Sequence, residues 1–154
     1  MRTARTTLVL TAATATLASM TAVGAVLAYD GGAGLYGCTR GDVDFGRRLT
    51  DDPALAALAG RLDPGAEPDW SCDQDDSSVA ASLELVTGLE RDAALPAGGA
   101  VLEEAGWVRS ERRAWCFEKR IGGRRVSATL TYDDEFRSDP RTDLGITLHR
   151  HGRC

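Results

Sequence analysis

Apolar and polar positions alternate most regularly in the second half of the chain. Trp115 to Ile121 (WCFEKRI), the pair Gly122-Gly123 and Arg124 to Asp133 (RRVSATLTYD) make a two-residue hairpin signal. A turn at the two glycines sets Phe117 opposite Ala128 and Trp115 opposite Leu130. It also puts Val126, Ala128, Leu130 and Tyr132 on one face. Leu144, Ile146 and Leu148 repeat the period in a third strand. The opposite face carries Glu118, Arg120, Arg125, Ser127, Thr129, Thr131, Thr147 and His149, together with Cys116. Such a sheet is apolar on one side only and needs helices over that side.

The pattern is helical further upstream. Asp51 to Gly60 (DDPALAALAG) offers an Asp cap, a proline suited to the first turn and a glycine to stop the helix. Leu55, Leu58 and Leu62 would form its buried stripe. Residues 63–69 (DPGAEPD) read as loop, and Val79 to Thr87 as a strand with Val79, Ala81, Leu83 and Leu85 on one face. Ala100 to Ala105 reads as a short helix, limited by Gly98-Gly99 before it and Gly106 after it. The expected fold is α+β: an antiparallel meander with short helices packed on one face. Residues 29–50 read as a Gly-rich leader and 51–154 as a single domain.

Within that domain the order helix, Ala-Gly, Trp, Cys, V-[AS]-A-[ST]-L occurs twice, with Val79–Leu83 and Val126–Leu130 47 residues apart. This suggests two helix-plus-hairpin units, 51–90 and 97–135, in which Trp70 and Trp115 would be equivalent. Tandem units of this kind resemble, in architecture and without a shared motif, the exported β-lactamase-inhibitory proteins of bacteria.

The first thirty residues carry an address. Arg2 and Arg5 precede an uncharged stretch from Leu8 to Ala28, and the next charge is Asp30. A basic start, a weakly apolar Ala- and Thr-rich stretch and small residues before Tyr29 describe a secretory signal cleaved after Ala28. The alternative is an uncleaved membrane anchor that leaves the rest outside. A third reading is lipid attachment at Cys38, since Leu35-Tyr36-Gly37-Cys38 faintly resembles a bacterial lipobox. All four cysteines, Cys38, Cys72, Cys116 and Cys154, lie beyond this stretch and none is in a CxxC pair. They read as two disulfides in an oxidising, extracytoplasmic compartment. Three pairings are possible, and local closure favours Cys38–Cys72 with Cys116–Cys154. The second requires the tail after Arg150 to fold across the polar sheet face.

Composition changes this picture mainly through charge. The 154 residues carry a net −5, which argues against a general nucleic-acid binder. The balance is uneven: residues 29–104 hold 16 acidic and 5 basic groups, residues 105–154 hold 7 and 11. Arg109, Arg112, Arg113, Lys119, Arg120, Arg124 and Arg125 fall within 17 residues around the hairpin. Arg112, Arg113, Lys119, Arg120, Arg124 and Arg125 are therefore the candidate partner-binding residues, for an extracellular protein or an anionic cell-surface polymer. The competing explanation is neutralisation by the acidic first half.

Motifs for chemistry are weak. Asp73 to Ser78 with Glu84 echoes a calcium loop, but Ser78 stands where that loop needs glycine and a strand follows it. His149 and His151 share a strand face at ligand spacing, with no third ligand besides the disulfide-assigned Cys154. Asp133, Asp134 and Glu135 could serve acid–base chemistry, though three adjacent carboxylates after a strand ordinarily make a turn. No nucleophile elbow, P-loop or His-bearing helix motif occurs. No catalytic residue, cofactor or resident metal is expected, and the reading is a small exported binding protein. A membrane-anchored structural component and a secreted hydrolase are the alternatives.

Overall fold

The computed structural model describes residues 38–73, 78–133, 143–150 and 154. They form helices α1 (Arg40–Thr50), α2 (Pro53–Leu62) and α3 (Arg91–Glu104). The strands are β1 (Asp69–Cys72), β2 (Val79–Leu85), β3 (Val108–Arg109), β4 (Cys116–Ile121), β5 (Arg124–Tyr132) and β6 (Leu144–His149). All pair antiparallel in one six-stranded sheet of order β1-β2-β6-β5-β4-β3. The fold is α+β, as the alternation requires. The meander spans β3 to β6, and the β1–β2 hairpin extends it beyond β6.

Register follows from the turn. Gly122 and Gly123 both sit at positive φ (56° and 78°), a succession that side chains resist, and Phe117 lands opposite Ala128. One apolar row then crosses the sheet from Phe117 through Ala128, Leu148 and Ala81 to Trp70. Leu130, Ile146 and Leu83 form the next row, and both rows are buried except for the half-buried Trp70. The helices cover this side.

Three local features differ from the sequence reading. Residues 40–50, grouped with the leader, form α1. A capping box made by Thr39 and Asp42 starts it, and Phe45 and Leu49 anchor its buried side. That box uses Asp in place of the usual Glu or Gln, which weakens its signature in sequence. Second, α2 runs through Gly60 to Leu62, because Leu62 packs against the core and rewards a further half-turn. Third, α3 is 14 residues long and passes through Pro96, Gly98 and Gly99. Those glycines are its contact surface and do not limit it. A Cβ at Gly98 would lie 3.3 Å from Leu144, and one at Gly99 3.3 Å from the Phe117 ring and 2.7 Å from the Arg109 guanidinium. The helix ends where expected, at Gly106 (φ 83°), with the Trp107 N–H donating to Leu102 O at 3.0 Å.

The two hairpins differ in hand. Strands β2 and β5 run in the same direction and bury the same side, yet β1 lies beyond β2 on one flank and β4 beyond β5 on the other. Hairpins of opposite hand cannot be superposed by any rotation. Trp70 stands opposite Ala81, and its register counterpart opposite Ala128 is Phe117, not Trp115.

Both disulfides close locally, Cys38–Cys72 with Cα atoms 6.1 Å apart and Cys116–Cys154 with 5.5 Å. Pairing of Cys38 leaves its thiol unavailable for a lipid. Cys154 reaches Cys116 over the polar sheet face, where Cys116 and Ser127 are buried. Residues 1–28, on which signal and anchor depend, lie outside the described residues.

Candidate functional site

An open cleft of about 940 Å³ lies at the hairpin end of the polar sheet face. Strand period and register build it. Glu118 of β4 and Arg125 of β5 point outward, Val108 of β3 forms one wall, and Cys154 of the tail another. Ser110, Glu111 and Arg112, from the turn that follows β3, complete its rim. Arg109, Arg124 and Arg150 also line it, which sets five arginines against two glutamates.

The arginines differ in how far the fold has already used them. Arg109 is committed: it pairs with Glu103 at 2.7 Å and stacks over the rings of Trp115 (5.0 Å) and Phe117 (4.7 Å). Arg150 is nearly buried and pairs with Asp42 in α1. Burial raises the Asp42 pKa, but the hydrogen bonds from the Thr39 N–H, Arg150 and the Thr39 hydroxyl outweigh it, aided by the Arg150 charge. The net result lies below the ordinary carboxylate value. Arg125 stands 4.0 Å from Glu118, an exposed pair at the limit of ion-pair distance and worth little. Arg124 leans on the Phe45 ring at 5.1 Å, and neither it nor Arg112 has a carboxylate partner among the described residues. Among the described residues, Arg112 thus has no carboxylate partner and Arg125 only a distant one, while Arg124, on the same side of β5 as Val126, holds its unpaired charge over the Phe45 ring.

Sequence reasoning named those three. It also named Arg113, which is exposed but does not line the cleft, and Arg120, whose guanidinium donates to Gly123 O at 3.0 Å across the turn. Lys119 points the other way. From the apolar side of β4 it reaches Asp52 at 2.8 Å and Ala105 O at 3.0 Å, with its Nζ 5.6 Å over the Trp107 ring. Alternation explains the separation, since Lys119 and Arg120 are adjacent on one strand. Arg150 was missed; a charge one residue past His149 returns to the apolar side and so demands a buried partner.

No family model matches the chain, and no curated protein or solved structure is significantly similar to it. The architectural likeness to the β-lactamase-inhibitory proteins therefore has no support from these comparisons.

The weaker motifs fall elsewhere. His149 is exposed at the end of β6 opposite Ala80 and Ser127, while His151 lies outside the described residues. The Asp73–Ser78 turn closes through Asp73 N–H to Ser78 O at 2.8 Å, with 74–77 outside the described residues and Glu84 on β2. Asp133 follows β5, and Asp134 and Glu135 lie outside the described residues. Among the described residues no cluster of three metal-ligating side chains occurs, and no helix is long and apolar enough to cross a membrane.

Proposed function

We propose that the protein is a small extracytoplasmic binding protein that engages an anionic partner through the arginine-lined cleft. The observation that carries this reading is the convergence of Arg112 and Arg125 on one concavity, edged by Arg124, with little or no neutralisation among the described residues. Guanidinium groups fork onto carboxylates and phosphates, and a concave basic surface concentrates such groups from solution. Two disulfides suit an oxidising compartment outside the cytoplasm.

Fluorescence anisotropy with a labelled deca-glutamate peptide tests the reading on the oxidised protein, with polyphosphate as a second probe. The exchange Arg112→Glu with Arg125→Glu should weaken binding at least about tenfold, the equivalent of 1.4 kcal/mol. Arg113→Glu with Arg120→Glu makes the same change in net charge outside the cleft and should weaken binding far less. Binding should fall as salt rises. Equal losses in the two double variants would mean that overall charge, not the cleft, attracts anions, and the reading would be abandoned.

A further inference from the structure

The cleft is not uniformly cationic. Glu111 and Glu118 interrupt its arginines, and Val108 on its wall is 69% exposed, the most exposed large apolar residue among those described. A polymer bearing only negative charge would meet two carboxylates and leave this valine in water. A protein segment can supply anionic and apolar groups by turns.

Strand β3 adds a backbone argument. It is the last strand of the sheet, and its ladder to β4 includes a bond from Ser110 N–H to Cys116 O at 2.8 Å. Bonded and non-bonded pairs alternate in an antiparallel ladder, so the neighbouring pair Arg109–Phe117 is non-bonded. The Arg109 N–H and C=O therefore face away from β4, with no backbone partner among the described residues. The other edge is guarded: the outward Trp70 N–H of β1 is taken by the Asp69 carboxylate at 2.7 Å, and Cys72 is tied to Cys38.

We infer that the partner is a protein that lays an extended acidic segment along β3, pairing with the Arg109 backbone and setting alternate side chains against Val108 and Arg112. Main-chain bonds would give such a complex its register, and the arginines its preference for acidic sequence. The inference rests on the cleft reading above and specifies its ligand.

Three probes separate the two ideas: a ten-residue peptide with Glu and Val in turn at every second position and Ser between them, so that one strand face carries both, the same peptide with every backbone N–H methylated, and polyphosphate. The unmodified peptide should bind, and methylation should weaken it at least about tenfold, the scale of one or more lost main-chain hydrogen bonds. Bound peptide should also slow hydrogen exchange at the Arg109 amide, a readout that needs no variant of this packed residue. Equal affinity of the two peptides, or an Arg109 amide that exchanges as fast when bound, overturns strand addition. If that binding still depends on Arg112 and Arg125, the cleft reading stands without it. Binding of polyphosphate but of neither peptide also overturns strand addition alone. Failure of all three probes removes both readings.

Discussion

Replacing Asp52 by Ala tests whether the buried contacts between α2 and the sheet are understood. The carboxylate is 5% exposed and accepts three hydrogen bonds: from Ala54 N–H at 3.0 Å as the cap of α2, from Trp107 Nε1 at 3.2 Å and from Lys119 Nζ at 2.8 Å. Loss of the cap costs about 1 kcal/mol. The Trp107 N–H, on a side chain 2% exposed, is left without its acceptor at about 1–2 kcal/mol. Lys119 keeps Ala105 O and its side chain is 22% exposed, so its unpaired charge costs about 1–2 kcal/mol, short of the penalty in a fully dry site. The total is about 4 kcal/mol, a large share of the 5–15 kcal/mol typical of a domain. Asp52→Asn keeps an acceptor for the cap and the indole, and should cost only about 1–2 kcal/mol. Urea titrations of the oxidised protein, followed by far-ultraviolet circular dichroism and tryptophan fluorescence, measure both. An alanine variant that loses less than about 1 kcal/mol, or no more than the asparagine variant, would show that these groups find water or other partners.

Gly46→Ala should destabilise the protein by about 2 kcal/mol despite the better helix former, because the new Cβ would lie 2.7 Å from Cδ2 of the Trp70 indole. Thermal denaturation measures it, and a neutral or raised Tm would contradict the packing of α1 on β1. Replacing Cys116 and Cys154 together by Ser opens a loop with a sequence separation of 38 and should cost about 4 kcal/mol on the chain-entropy account. It should also weaken deca-glutamate binding, since Cys154 forms a wall of the cleft, and unchanged binding would argue against that wall. The lowered pKa of Asp42 means that the unfolded chain takes up its proton first as pH falls. The stabilisation is complete above the unfolded value near about pH 4 and is lost as pH drops through the folded value. Asp42→Asn should therefore lower stability at pH 7 and flatten its decline between about pH 5 and pH 2. Parallel acid titrations of the two proteins would refute this.

The sheet was legible in the sequence because its signals are local and mutually consistent. Two adjacent glycines fix the hairpin turn, and a period of two over Val126–Tyr132 and Leu144–Leu148 then fixes which side is buried. The helices were harder to read because their glycines play a tertiary part. Gly98 and Gly99 look like breakers to any local rule, yet they let α3 lie close to Leu130, Leu144 and Phe117. Helix α1 was concealed by its Asp-for-Glu capping box and by Gly46, whose missing side chain makes room for Trp70. In each case the residue that lowers helix propensity is the one the packing needs, and tertiary contact outweighs the local cost.

The cleft shows why a run of charges in sequence is a poor guide to a charged surface. Seven basic residues within 17 positions suggest one patch. Strand alternation then divides them: Lys119 turns inward to Asp52 while Arg120 turns outward. Arg109 is absorbed by Glu103 and two aromatic rings. What remains exposed and weakly neutralised is Arg112, Arg124 and Arg125, gathered by a turn, a hairpin and a tail held down by Cys116–Cys154. Arg150 joins them from just past the end of β6, distant in sequence and already bound to Asp42. The unit of electrostatics here is the register of the sheet, not the run of residues. For that reason Arg113 and Arg120, neighbours of the cleft residues in sequence, are the decisive controls for any claim about what the cleft binds.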